Sequence, residues 1–370
     1  MPGITKFRFL LLTTVIILSA MQNGFAVEEK EQRLVSPILL ENAGLKILWE
    51  NILPTRTGES LERMLILGDH IYVISDKNYI LSLDRKNGER VFGRVVAPSG
   101  VKIEDMILYN NKIISVVGSK LFEIDPNTGT ENSVLGVDYG IICPAVCNSS
   151  FYYLSGSDRR LHTLKEDNGV EVFNVAAEND SMITTILAGE TFVVFGTDKG
   201  NIISIAPDLP KRLWQFDASA AITGKIVRDG VSLFFASGDM NVYRLDMVGT
   251  PEKRRLAWKY QTDGILNTAP RVTRGILYQV VYGKGLTAID KNNGTCLWSV
   301  PGGIDFLAEA EGKAYVITKD QTLVIMDNTE RKRLSSINVT GVTRYAANLI
   351  DSKIYIADKS GKIACIQPLE

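Results

Sequence analysis

The sequence predicts an all-β fold: an eight-bladed β-propeller of four-stranded antiparallel blades, closed by an N-terminal strand that completes the last blade. Three observations predict it. An apolar-x-apolar-Asp element recurs eight times along the chain. The runs around each copy are short, rich in β-branched residues and bounded by Gly, Asn and Asp. The last copy stops one strand short, and a matching strand stands at the other end of the chain.

The element ends at Asp84 ("ILSLD"), Asp125 ("LFEID"), Asp246 ("VYRLD"), Asp290 ("LTAID") and Asp327 ("LVIMD"). Degenerate copies end at Lys165, Ala206 and Gln367. Successive spacings are 41, 40, 41, 40, 44, 37 and 40 residues, a register that chance apolar clusters would not keep. In the sixth copy "APRVTR" leads to "GILYQVVY", a Gly-Lys-Gly turn, "LTAID", the polar "KNNG" and "TCLWSV". That grammar is a four-stranded meander. The runs are too short and too β-branched for a helical repeat of similar period.

Each repeat carries two further marks. Gly88, Gly129, Gly169 and Gly294 share one offset in the turn before the last strand, where a hairpin demands positive φ. An aromatic follows eight residues beyond the Asp position: Phe92, Phe173, Trp214 and Trp298. In the fifth copy Trp258 falls twelve residues on, because "GTPEKRR" inserts four, which also explains the 44-residue spacing. Runs such as "FVVFG" and "LFFASG" are apolar at successive positions, as in sheets packed on both faces. Stacked around an axis, such sheets form a propeller. Its ring is expected to close through "GLKILWENIL", in which Trp49 takes the place that Trp298 holds in its own blade; pairing the two ends removes two open sheet edges.

The remaining features bound the function. Lys6 and Arg8 precede the apolar run "FLLLTTVIILSA", and Gly24 and Ala26 suit a cut, so residues 1–26 read as a signal peptide. The run is short for a permanent span, and no cysteine follows it for lipid attachment. Residues 27–44 read as a flexible segment and residues 45–370 as the propeller. Without the leader, 39 basic face 42 acidic residues, a charge of −3 that gives no basis for binding nucleic acid. Cys143 and Cys147 could bridge or remain buried thiols; four cysteines do not make a disulfide scaffold. His70 is expected in a turn and His162 in a strand, neither with an evident carboxylate or thiol companion, so no catalytic or metal site is expected from them.

"AIDKNNGTCLW" (Ala288 to Trp298) resembles the Ala-x-Asp-x-x-x-Gly-x-x-x-Trp docking motif of quinoprotein-like (PQQ-repeat) propellers, with weaker versions over residues 45 to 367. The resemblance implies one of two branches. Pyrroloquinoline-quinone dehydrogenases are similar in blade design but longer, and they use an adjacent cysteine pair and a calcium site; this chain has no Cys-Cys. The other branch, similar to BamB, is non-catalytic and serves outer-membrane β-barrel assembly. It implies a periplasmic scaffold for protein partners, monomeric and without a cofactor, although this leader has no cysteine to acylate. Trp49, Phe92, Phe173, Trp214, Trp258 and Trp298 are expected to dock blade on blade rather than stack a ligand. The turn aspartates are expected to cap hairpins. The candidate partner loop is the basic run Lys253, Arg254 and Arg255, on the insertion that breaks the repeat.

Overall fold

The computed structural model describes residues 33–369. The expected leader, and residues 27–32 of the expected flexible segment, lie outside the described residues. The chain forms eight four-stranded antiparallel sheets. Blade 1 comprises Leu61–Leu67, His70–Ser75, Tyr79–Asp84 and Arg90–Val95. Blade 2 comprises Ile107–Tyr109, Lys112–Val117, Lys120–Ile124 and Glu131–Gly136. Blade 3 comprises Val146–Cys147, Phe151–Ser155, Arg160–Lys165 and Glu171–Ala176. Blade 4 comprises Ile183–Ala188, Val193–Thr197, Asn201–Ile205 and Arg212–Asp217. Blade 5 comprises Val227–Asp229, Ser232–Ala236, Asn241–Met247 and Arg254–Gln261. Blade 6 comprises Arg271–Val272, Ile276–Val281, Gly285–Asp290 and Cys296–Pro301. Blade 7 comprises Gly303–Ala310, Lys313–Thr318, Thr322–Asp327 and Lys332–Asn338.

Blade 8 is built from both ends of the chain. Arg344–Ala346, Ile354–Ala357 and Lys362–Pro368 supply three strands, and Leu45–Ile52 supplies the outermost. The closing strand runs antiparallel to its partner from Leu45 opposite Pro368 to Ile52 opposite Lys362. Residues 34–44, expected to be part of a flexible lead-in, are instead folded onto the ring. A short helix spans Pro37–Glu41, and Leu34, Val35 and Leu40 are buried with residues of blades 7 and 8. The Leu34 amide also donates to the Glu50 carboxylate at 2.7 Å. Three apolar side chains in seven residues were enough to tie this stretch down, since each buried one contributes about 1.5–3 kcal/mol.

Burial follows strand position within each blade. The second and third strands of blade 4 are buried at every residue, as their largely apolar sequence favours. Outer strands are largely exposed, as in Glu131–Gly136. The apolar clusters lie between neighbouring blades: one joins Val194 and Ile202 of blade 4 to Leu233, Phe235 and Leu245 of blade 5. The meander order gives the ring two faces. One, the docking-turn face, carries the turns after the inner and third strands. The other, the connection face, carries the turns after the second strands and the links from blade to blade.

Candidate functional site

One row of side chains crosses each sheet and meets the next blade's turn. In blade 8, Tyr355, Cys365 and Trp49 stand opposite one another. In blade 6 the row is Tyr278, Ala288 and Trp298, and in blade 1 it is Tyr72, Ser82 and Phe92. A small residue in the middle lets both flanking rings reach the same turn. The ring centroids lie 6.1 Å apart for Trp49 and Tyr355, and 5.7 Å apart for Tyr278 and Trp298. At this level every outer strand also carries a β-bulge, from Ser82/Leu83 in blade 1 to Ile47/Trp49 in blade 8. A bulge re-aims the side chain beside it.

The receiving turns are shaped for those rings. Gly88, Gly129, Gly169 and Gly294 have φ of 70–75°, but positive φ is only half of the requirement. A Cβ on Gly88 would lie 2.5 Å from the Trp49 ring, one on Gly129 2.4 Å from Phe92, and one on Gly294 2.7 Å from Trp258. On Gly169 it would meet Leu135 at 2.4 Å, since blade 2 lacks the aromatic. Polar tips finish the contact. Trp49 Nε1 and the Tyr355 hydroxyl both donate to the Arg85 carbonyl, at 3.3 and 3.4 Å. Trp258 Nε1 donates to the Lys291 carbonyl at 3.0 Å, and Trp298 Nε1 to Asn328 Oδ1 at 3.1 Å. Phe173 is half-buried against the cluster shared by blades 3 and 4.

Asp84, Asp125, Asp290 and Asp327 cap their turns through backbone amides, for example Asn127 and Thr128 onto Asp125. Those two bonds hold the Asp125 carboxyl below its ordinary range. Asp246 differs: it is buried and takes Arg244, Arg255 and Ser232. The insertion has rebuilt this turn, and Trp214 of blade 4, which should dock there, finds no acceptor for its Nε1 among the described residues. Arg254 covers its ring instead, with the guanidinium 5.9 Å from the indole centroid and a bond to the Gln215 carbonyl. The basic run is therefore not a loop throughout. Lys253 lies in the turn, whereas Arg254 and Arg255 begin the outer strand of blade 5 and have intramolecular partners.

His162 also departs from expectation. It is buried in a strand, as expected, but it has companions on both ring nitrogens: Glu171 at 2.8 Å and Asp158 at 3.0 Å, with Tyr139 stacked 3.8 Å away. Neither carboxylate is adjacent in sequence, which hid the cluster. His70 stands at the start of a strand rather than in a turn. Cys143 and Cys147 are separate buried thiols, and burial pushes both up to about 12.

The axial channel carries a charge cluster at its connection-face end, where the inner strands begin. Arg63 and Lys225 both reach the Asp105 carboxylate, at 2.9 and 2.8 Å. Lys225 leads into blade 5 and Asp105 into blade 2, so this pair bridges the channel. Arg271 grips both oxygens of Asp305, at 3.3 and 3.1 Å. Arg344 of blade 8 donates to the Leu61 and Thr343 carbonyls, each at 2.7 Å, and has no carboxylate partner. Burial opposes charge on Asp105, but Lys225, Arg63 and Arg271 outweigh it and hold the carboxyl below its usual range. The quinone enzymes need calcium held by oxygen ligands. Among the described residues no group of three His, Cys, Asp or Glu is placed to hold a metal ion. The axial carboxylates face Arg and Lys, so these residues do not fit that calcium site.

An apolar strip crosses the connection face over blades 5 to 7. Met240, Ile265, Tyr282 and Ile304 are 37%, 58%, 67% and 40% exposed on this face. The backbone links them: Thr262 donates to the Met240 carbonyl, and Tyr282 to the Ile265 carbonyl. Ile304 follows Gly302, whose amide bonds the Lys284 carbonyl. Met240 sits at φ 64°, a conformation that Gly200 fills in blade 4 at φ 91°.

Repeat, row and closure together define an eight-bladed β-propeller. The family described as outer membrane protein assembly factor BamB (PQQ_2) matches residues 198–365. BamB from Moraxella catarrhalis has a similar structure, with a TM-score of 0.66 at 15% identity over 87% of this chain and 97% of that one. The computationally designed Ika8 protein gives 0.67 at 14% identity, over 86% and 98%. The Cps50 (Swd1) β-propeller domain of Myceliophteria thermophila gives 0.56 at 13% identity, over 86% and 99%. No curated protein matches the sequence. The chain is thus an eight-bladed β-propeller similar in fold to BamB, with a match to the PQQ_2 family over residues 198–365.

Proposed function

We propose that the chain is a non-catalytic, exported protein-interaction scaffold of BamB type, working in the periplasm on outer-membrane protein assembly. The observation that carries this reading is the strip of Met240, Ile265, Tyr282 and Ile304. It leaves apolar side chains in water on one face of a ring whose docking-row aromatics are spent on blade contacts. The similarity to BamB supports outer-membrane assembly as the setting, and the apolar, basic-flanked leader supports export.

The experiment places a photo-crosslinking residue at Tyr282, and a control at Val134 on an outer strand, in the organism that encodes the chain. Crosslinks from Tyr282 alone, in a periplasmic fraction, to a component of outer-membrane β-barrel assembly are the expected result. Equal crosslinking from both positions would overturn the surface assignment. Saturable binding of the quinone with calcium and dye reduction would overturn the non-catalytic reading.

A further inference from the structure

We infer that the connection-face mouth of the axial channel is an anion receptor built to take carboxylates. Among the described residues, Arg63, Lys225, Arg271 and Arg344 pair there with no carboxylate but Asp105 and Asp305, which leaves two positive charges in excess. The adjacent Lys102–Glu104 pair cancels itself. The cations converge from the starts of the inner strands of blades 1, 5, 6 and 8, so their fields add at one place. The two carboxylates already present are engaged, Asp105 by two cations and Asp305 by a two-pronged Arg271.

Arg344 is the receptor's free arm. Its Nε and Nη1 are fixed on the Leu61 and Thr343 carbonyls, which orients the guanidinium, and no carboxylate of the described residues neutralises it. A guanidinium so held presents its remaining N–H groups to a planar oxyanion. Lys225, with its side chain half exposed at 49%, stands ready to share the ligand with Asp105. Two excess charges match a dianion: a small dicarboxylate, or neighbouring acidic side chains of a peptide. The chemistry is the same for both sources. This site does not depend on the scaffold role, since it uses different residues from the apolar strip.

The test is thermal unfolding and calorimetric titration of the intact chain with succinate, acetate and a capped Glu-Glu peptide, against sodium chloride at equal ionic strength. The expected result is a saturable rise in melting temperature with succinate or the peptide, with acetate at least tenfold weaker. Whichever of the two binds tighter identifies the source, a small molecule or an acidic partner segment. Arg344→Gln should weaken binding at least tenfold and Arg344→Lys, which keeps the charge but loses the anchored planar fork, should restore only part of it, while Lys253→Gln on the opposite face changes nothing. If Arg344→Gln does not fold, Lys225→Met supplies the same comparison. A shift matched by chloride, no saturation, or equal affinity in Arg344→Gln or Lys225→Met would overturn the receptor.

Discussion

Replacing Gly294 by Ala isolates the contact between blades 5 and 6. The added Cβ would sit 2.7 Å from the Trp258 ring, at a backbone φ of 75°. Two separable costs follow. The left-handed backbone penalises any L side chain by roughly 1–2 kcal/mol. Forcing a methyl group against a packed ring costs about 1–3 kcal/mol more. Gly294→Ala alone should therefore destabilise by about 2–5 kcal/mol, and Trp258→Ala by about 3–5 kcal/mol. In the double variant the ring is gone and only the backbone cost of Gly294→Ala remains. The pair should couple by about 1–3 kcal/mol, measured from guanidinium unfolding curves of all four proteins followed by circular dichroism. Additivity within about 0.5 kcal/mol would refute the reasoning, because it would mean that the indole does not rest on that glycine.

Two further outcomes are expected. Asp105 has a folded-state pKa below its unfolded value, so its stabilisation is complete above the unfolded value of about 3.9 and is lost as pH falls through the folded one. Asp105→Asn should then flatten the stability profile below about pH 4; an unchanged acid limb in the pH-dependent melting curves would contradict this. In the native chain, iodoacetamide at pH 8 should label exposed Cys296 and spare Cys143, Cys147 and Cys365, whose thiols burial raises to about 12. Mass spectrometry after reduction and unfolding should show all four labelled, and rapid native labelling of Cys143 would contradict the packing.

The parts of this fold written in local sequence were readable. The Asp-to-Gly turns, the short strands between them and the missing eighth strand all lie within single repeats, and Trp49 announced its partner blade by its offset. The tyrosine half of the docking row was readable too, in "HIYVIS", "FYYLS", "ILYQVV", "KAYVIT" and "KIYIA", but it passes for ordinary strand composition. Its meaning depends on a small residue standing opposite and on a bulge that no sequence mark announces. The charges on the axis were not readable at all. Asp105 and Lys225 belong to blades three apart, and only closing the ring brings them to 2.8 Å. Likewise the carboxylates on His162 come from a turn and from the next strand. Arg254 looked like a free basic residue because its partners, Trp214 and Gln215, belong to the preceding blade.

The account stands on a ring sealed by its two ends, and hydrogen–deuterium exchange of the segment Leu45–Ile52 tests that seal most directly. Its pairing with Lys362–Pro368 predicts protection equal to that of Cys296–Pro301, the outer strand of blade 6. Exchange as fast as in the exposed turn between Asp290 and Cys296 would mean that the eighth blade is open.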